Sequence, residues 1–80
     1  MKVKIYVTLK EGILDPQGKA VQHSLHTLGY ASVRDVRIGK YVEIKISDMP
    51  EETMESRIKE MCHKLLANPV IEDFRYEIER

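Results

Sequence analysis

Fourteen residues near the middle of the chain, Val33 to Ile46 (VRDVRIGKYVEIKI), constrain the fold more than any other stretch. Val36 and Ile38 alternate with Arg37, while Val42, Ile44 and Ile46 alternate with Glu43 and Lys45. Each half therefore repeats its apolar side chains every second residue, as a one-sided strand requires. The halves meet at Gly39-Lys40, and glycine suits the positive φ at the first central position of a type II′ turn. The stretch predicts a two-stranded hairpin turning at Gly39-Lys40. A lone hairpin is marginal in water, so its flanking strands and covering layer must come from the rest of the chain.

Both sides supply them. Lys2 to Leu9 alternates Val3, Ile5, Val7 and Leu9 against Lys2, Lys4, Tyr6 and Thr8, the pattern of a half-buried strand. Lys10-Glu11-Gly12 breaks it. Asp15 then suits a helix N-cap and Pro16 the first helical position, where a missing N–H costs nothing. Val21, Leu25 and Leu28 follow at i, i+4 and i+7, one face of a helix that Gly29 closes. After the hairpin, Asp48-Met49-Pro50 starts a second helix, with Glu51, Glu52 and Glu55 in or near the turn where the helix dipole favours acids. Its apolar stripe is Met54, Ile58, Met61, Cys62 and Leu65, and Asn68-Pro69 ends it. A last strand, Val70 to Glu79, sets Phe74, Tyr76 and Ile78 against Arg75, Glu77 and Glu79.

The predicted order β-α-β-β-α-β implies one α+β domain spanning residues 1–80, a ferredoxin-like sandwich. Right-handed crossovers place its four antiparallel strands in the order 4-1-3-2, with both helices on one face. Lys2 and Lys4 then lie opposite Glu77 and Glu79. The other face, carrying Tyr6 and Tyr41 among charges, is left open in a monomer and suits packing against another chain.

Composition narrows the function classes. Thirteen Lys and Arg balance thirteen Asp and Glu, and the pI is near 6.8, without the basic excess of a general nucleic-acid or acidic-membrane binder. The single cysteine, Cys62, excludes an internal disulfide and fits a reducing compartment. No apolar run reaches the ~18 residues of a membrane span, and Met1 opens no secretion signal, so a soluble cytoplasmic protein is expected. An eighty-residue domain buries only about 60% of its unfolded surface, for which self-association is a common remedy.

No catalytic constellation emerges. His23 and His26 lie three apart on the first helix, and His63 follows Cys62 on the second. A metal centre needs three or four converging ligands, whereas these histidines flank an apolar stripe as solvated helix residues do. Cys62 falls on the stripe itself, as a small buried hydrophobe. Cys62 and His63 cannot act as nucleophile and base, since adjacent helix residues point about 100° apart. Gly12, Gly18, Gly29 and Gly39 match no phosphate-binding motif. Two features ask for more than local structure. Gly18 stands in the first turn of a helix, where glycine costs up to ~1 kcal/mol against alanine, and either close approach by another backbone or a plain helix start accounts for it. The tip Arg37-Ile38-Gly39-Lys40-Tyr41 is either a solvated turn or a contact surface, since Arg and Tyr are enriched at interface hot spots.

Three stretches together carry a family resemblance: Leu14-Asp15-Pro16-Gln17-Gly18, Val36-Arg37-Ile38-Gly39-Lys40-Tyr41, and Leu65-Leu66-Ala67-Asn68-Pro69-Val70-Ile71-Glu72-Asp73-Phe74. In order and spacing, over essentially the whole chain, they resemble the PurS family, small subunits of phosphoribosylformylglycinamidine synthase. The resemblance implies a non-catalytic subunit of a glutamine-dependent C–N ligase in purine biosynthesis. It binds no cofactor itself; ATP and Mg are used by the synthetase large subunit, and a glutaminase subunit releases ammonia from glutamine. The PurS-like chain, as a dimer or higher oligomer, bridges the two and supports ammonia transfer. On that reading Asp15, Gln17, Gly18, Arg37, Gly39 and Lys40 are candidates for contact with the catalytic subunits, and Tyr6 and Tyr41 for self-association. Two alternatives share the predicted topology. An RNA-recognition motif is disfavoured because Lys40-Tyr41-Val42-Glu43-Ile44 lacks that module's glycine and aromatic run and sets Glu43 against phosphate. A small-molecule sensor would need a glycine-rich loop between the first strand and helix, where only Gly12 and Gly18 stand.

Overall fold

The computed structural model describes residues 1–80 and contains three strands and two helices. Strand β1 spans Lys2–Leu9, helix α1 Pro16–Thr27, strand β2 Gly39–Lys45, helix α2 Glu51–Met61 and strand β3 Glu72–Glu79. The sheet is antiparallel with β1 in the centre, in the order β2-β1-β3. Val3 lies opposite Ile44 and Ile78, and Tyr6 opposite Tyr41 and Arg75. One face of β1 is fully buried through Val3, Ile5 and Val7, which pack with Met54, Ile58, Cys62 and Ala67. Val42, Ile44, Phe74, Tyr76 and Ile78 flank this core, half-buried.

The expected four-stranded sheet is corrected to three strands. Those present keep the predicted adjacency of last, first and third, but the second predicted strand, ending at Ile38, does not form. Its backbone groups are engaged by side chains instead: Gln22 Nε2 donates to Arg34 O at 3.1 Å, His26 Nε2 lies 2.6 Å from Val33 O, and Ile38 N–H donates to Asp15 Oδ2 at 2.8 Å. Nor is Gly39-Lys40 a II′ turn. Only Gly12 and Gly29 have positive φ, whereas Gly39 begins β2 in extended geometry opposite Thr8.

Helix α1 starts and stops as its sequence dictates. Asp15 Oδ1 accepts the Gly18 N–H at 2.9 Å. At the other end Gly29 takes φ 101°, with Gly29 N–H donating to His26 O and Tyr30 N–H to Leu25 O. This pair of bonds is the Schellman arrangement that lets a glycine close a helix. Helix α2 runs on into a π-helical turn, Cys62–Leu66, in which Ala67 N–H donates to Cys62 O five residues back at 2.9 Å. The wider turn inserts a residue, so the inward position passes from Cys62 to Ala67. Leu65, expected on the buried stripe, is turned out and 82% exposed.

The expectation that both helices cover one sheet face is also corrected. Only α2 lies on the sheet; α1 projects beyond the Leu9 end, and residues 33–38 return alongside it as the bonds to Val33, Arg34 and Ile38 show. Twelve helical residues add about 18 Å to the roughly 27 Å of an eight-residue strand, which accounts for most of the 49 Å long axis. The radius of gyration is 16.0 Å, against about 12 Å for a compact domain of this length.

Candidate partner interface

Asp15 ties the separate motifs together. One carboxylate oxygen caps α1 through Gly18 N–H, and the other accepts Ile38 N–H from the strand-entry segment. These two backbone donors, first that of Ile38, with the Arg37 guanidinium nearby, hold the Asp15 carboxyl below the usual carboxylate range. The Arg37 guanidinium donates to Leu9 O, joining the same segment to the end of β1. Gly18 is buried in this junction, and a Cβ there would lie 2.2 Å from Val36 O. Close backbone approach, one of the two sequence explanations for Gly18, is therefore correct. Gly39 is equally constrained, since its Cβ would lie 2.2 Å from Val7 O.

Two depressions adjoin the junction, and Asp15 borders both. A depression of about 350 Å³ is bordered by Asp15, Pro16, Gln17, Gly39, Lys40 and Glu72. A smaller one of about 200 Å³ includes Gly12, Leu14, Lys19, Asp35 and Arg37. All six residues singled out for partner contact thus lie at one end of the sheet: four border the larger depression, Gly18 sits in the junction and Arg37 borders the smaller depression. Glu72 belongs with them and was not anticipated. It reaches the site because Lys10 N–H donates to Ile71 O at 2.8 Å, carrying the start of β3 alongside the end of β1. Only that long-range pairing marks it.

Tyr6 and Tyr41 form a separate patch on the polar sheet face. Their rings are 5.1 Å apart and tilted by 40°, and the Arg75 guanidinium lies 4.0 Å over the Tyr6 ring. Tyr41 Oη donates to Glu43 at 2.8 Å, and partial burial together with that bond pushes its phenol up to about 12. Around the rings, Lys2 pairs with Glu43, Lys4 with Glu79 and Arg75 with Glu77. Lys4 reaches Glu79, the diagonal neighbour, in preference to Glu77 directly opposite, as long side chains across antiparallel strands can.

The groups weighed for chemistry are dispersed. No three His, Cys, Asp or Glu side chains converge. Besides holding Val33, His26 is separated from His63, which packs edge-on against Phe74 at 5.5 Å. Cys62 is fully buried, and burial pushes its thiol up, away from the reactive thiolate.

The PurS family, described as phosphoribosylformylglycinamidine (FGAM) synthase, matches residues 2–80. The chain is 60% identical over 78 residues, 98% of its length and 92% of the relative's, to the PurS subunit of phosphoribosylformylglycinamidine synthase from Bacillus subtilis. Its structure resembles the crystal structure of PurS from Methanocaldococcus jannaschii with a TM-score of 0.85 at 39% identity, covering 99% of this chain and 95% of that one. A chain of the PurLQS structure from Thermotoga maritima matches with a TM-score of 0.85 at 26% identity, over 95% and 93% of the two chains.

Proposed function

The chain belongs to the PurS family of phosphoribosylformylglycinamidine synthase subunits, and on that premise we propose that it bridges the catalytic subunits of such a synthase without reacting itself. Its partners are a second copy of the chain, the ATP-dependent synthetase subunit and the glutaminase subunit. The full-length match to PurS proteins carries the reading, and the likeness to a chain of a PurLQS assembly supplies the context of three subunits. The reaction assigned to the complex converts formylglycinamide ribonucleotide, ATP and glutamine to formylglycinamidine ribonucleotide. ATP and Mg act on the synthetase subunit, and this chain holds neither. The single 1–80 domain is a ferredoxin-like frame reduced to three strands, working in the cytoplasm. No helix is long and apolar enough to cross a membrane.

Containment explains the need for such a subunit. Ammonia released into neutral water is protonated and diluted, whereas two active sites held in register deliver it at a high effective concentration. In this reading the Asp15 junction, with Gln17, Gly18, Arg37, Gly39 and Lys40, meets the catalytic subunits, because it is cross-tied by the Asp15 and Arg37 bonds and borders two depressions. Tyr6 and Tyr41 are the self-association candidates on the polar sheet face.

The test assays glutamine-dependent and ammonia-dependent synthesis by the large and glutaminase subunits, with and without this chain. Restored glutamine-dependent turnover together with a larger complex is the expected result; no response in either overturns the bridging role. Arg37→Ala and Lys40→Ala are expected to weaken assembly and glutamine-dependent turnover. Unchanged values for both would remove the strand-entry segment from the interface.

A further inference from the structure

Tyr6 on β1 and Tyr41 on β2 stand directly opposite each other on the polar sheet face. Their ring centroids are 5.1 Å apart, within the contact range of an aromatic pair. Each phenol is also hydrogen-bonded to a carboxylate of its own. Tyr41 Oη donates to Glu43 Oε1 at 2.8 Å, and Tyr6 Oη donates to Glu77 Oε2 at 3.4 Å. Tyr30 and Tyr76 share neither feature: they donate to no carboxylate and meet no second tyrosine ring. The chain has no tryptophan, and its one cysteine is fully buried. Tyrosine is therefore the accessible side chain from which a single electron is most easily taken.

We propose that Tyr6 and Tyr41 form an oxidative coupling site, at which a diffusible one-electron oxidant joins the two rings of one chain through a carbon–carbon bond ortho to each hydroxyl. Each ring gives one electron to the oxidant and its phenolic proton to the carboxylate it bonds, Tyr41 to Glu43 and Tyr6 to Glu77. Two neutral phenoxyl radicals result, and they pair at their facing ortho carbons. Each of those carbons then releases its hydrogen as a proton, and each oxygen regains one. In balance, two equivalents of oxidant accept two electrons, two protons pass to solvent, and one C–C bond replaces two C–H bonds. Both hydroxyls survive.

The surroundings favour this path. A phenol loses an electron far more easily when its proton leaves too, because the alternative is a radical cation. The Arg75 guanidinium, 4.0 Å over the Tyr6 ring, makes that cation costlier still, so the carboxylates decide the route. The Tyr41 bond and Lys2 hold the Glu43 carboxyl below its usual range, and it stands ionised at neutral pH, able to accept. Rings already fixed by paired strands need no search to meet, which gives coupling within a chain a high effective concentration. The product ties β1 to β2 and closes the segment between Tyr6 and Tyr41, which carries α1 and the Asp15 junction. Like a disulfide, it removes freedom from the unfolded chain. None of this depends on the bridging role.

The test oxidises the dilute full chain with photogenerated tris-bipyridyl ruthenium(III), a one-electron oxidant, using persulfate as the terminal acceptor. Wild type and Tyr30→Phe are expected to give a chain of monomer mass, lighter by two hydrogens, with the blue fluorescence of dityrosine. Cleavage after lysine should place the new bond between the Ile5–Lys10 and Tyr41–Lys45 peptides. Tyr6→Phe and Tyr41→Phe keep a ring at each position, so the fold is not at stake, and each is expected to lower the yield at least about tenfold. Wild-type yield in either variant, or coupling found only between chains, overturns the proposal. So does an equal yield from the chain unfolded in urea, since the strands would then not build the site. Glu43→Gln keeps a hydrogen-bond acceptor but removes the base, and it is expected to slow coupling severalfold. An unchanged rate overturns the proton-accepting role of the carboxylate.

Discussion

Alanine at position 18 puts the junction to its sharpest test. In an ordinary helix, replacing glycine by alanine gains up to ~1 kcal/mol. At Gly18 the new methyl carbon would lie 2.2 Å from Val36 O, roughly 1 Å inside an ordinary carbon–oxygen contact of about 3.3 Å. The obstacle is a backbone carbonyl and cannot swing away like a flexible side chain. Its segment is held two residues on by Asp15 at Ile38 N–H, and again where Gly39 packs on Val7. Relief therefore requires the arm to move, at the ~1–3 kcal/mol typical of overpacking, and the normal sign of the substitution reverses. At about 4–8 °C per kcal/mol for a domain of this size, Gly18→Ala is expected to lower Tm by roughly 5–20 °C. Measurements belong at one protein concentration, since self-association shifts Tm by mass action. Amide exchange at Ile38 should accelerate in parallel. A raised Tm with Ile38 still protected would refute the reasoning, because it would mean the two segments separate freely.

Ile58→Ala removes a fully buried side chain from the α2–β1 core and is expected to cost about 2–5 kcal/mol in urea unfolding. The lowered Asp15 pKa makes the junction acid-sensitive. Its stabilisation is complete above the unfolded aspartate value of ~3.9 and is lost as pH falls through the lower folded value, so Ile38 exchange should rise there in the wild type and at neutral pH in Asp15→Ala. Tyr41 and Lys4 act at the other extreme, since both titrate above their ordinary values. The stabilisation they contribute is complete below their ordinary values of ~10 and is lost as pH rises through the raised folded values, about 12 for Tyr41. A difference titration of tyrosinate absorbance between wild type and Tyr41→Phe should show one phenol ionising late, and an ordinary Tyr41 titration would contradict the packing of that face.

The sequence by itself determined what depends on neighbours a few residues away. Asp15 and Pro16 start α1 and Gly29 closes it, because capping bonds span only three to six residues. The alternation in Lys2–Leu9 and Glu72–Glu79 selects buried and solvated faces, because a strand turns each successive side chain to the opposite side. The close approach at Gly18 was legible for a similar reason: a glycine costly in a helix signals a neighbour without saying which. The tertiary structure alone decided the rest. Val36-Arg37-Ile38 alternates like a strand, yet its hydrogen bonds go to α1 and to Asp15, 23 residues before Ile38, and no local pattern records where a donor finds its acceptor. Leu65 fits an α-helical stripe until one i+5 bond shifts the phase. Whether α1 lies on its own sheet or projects from it depends on the tethers at Ile38 and Val36, because an apolar helix face requires a cover without specifying which surface provides it.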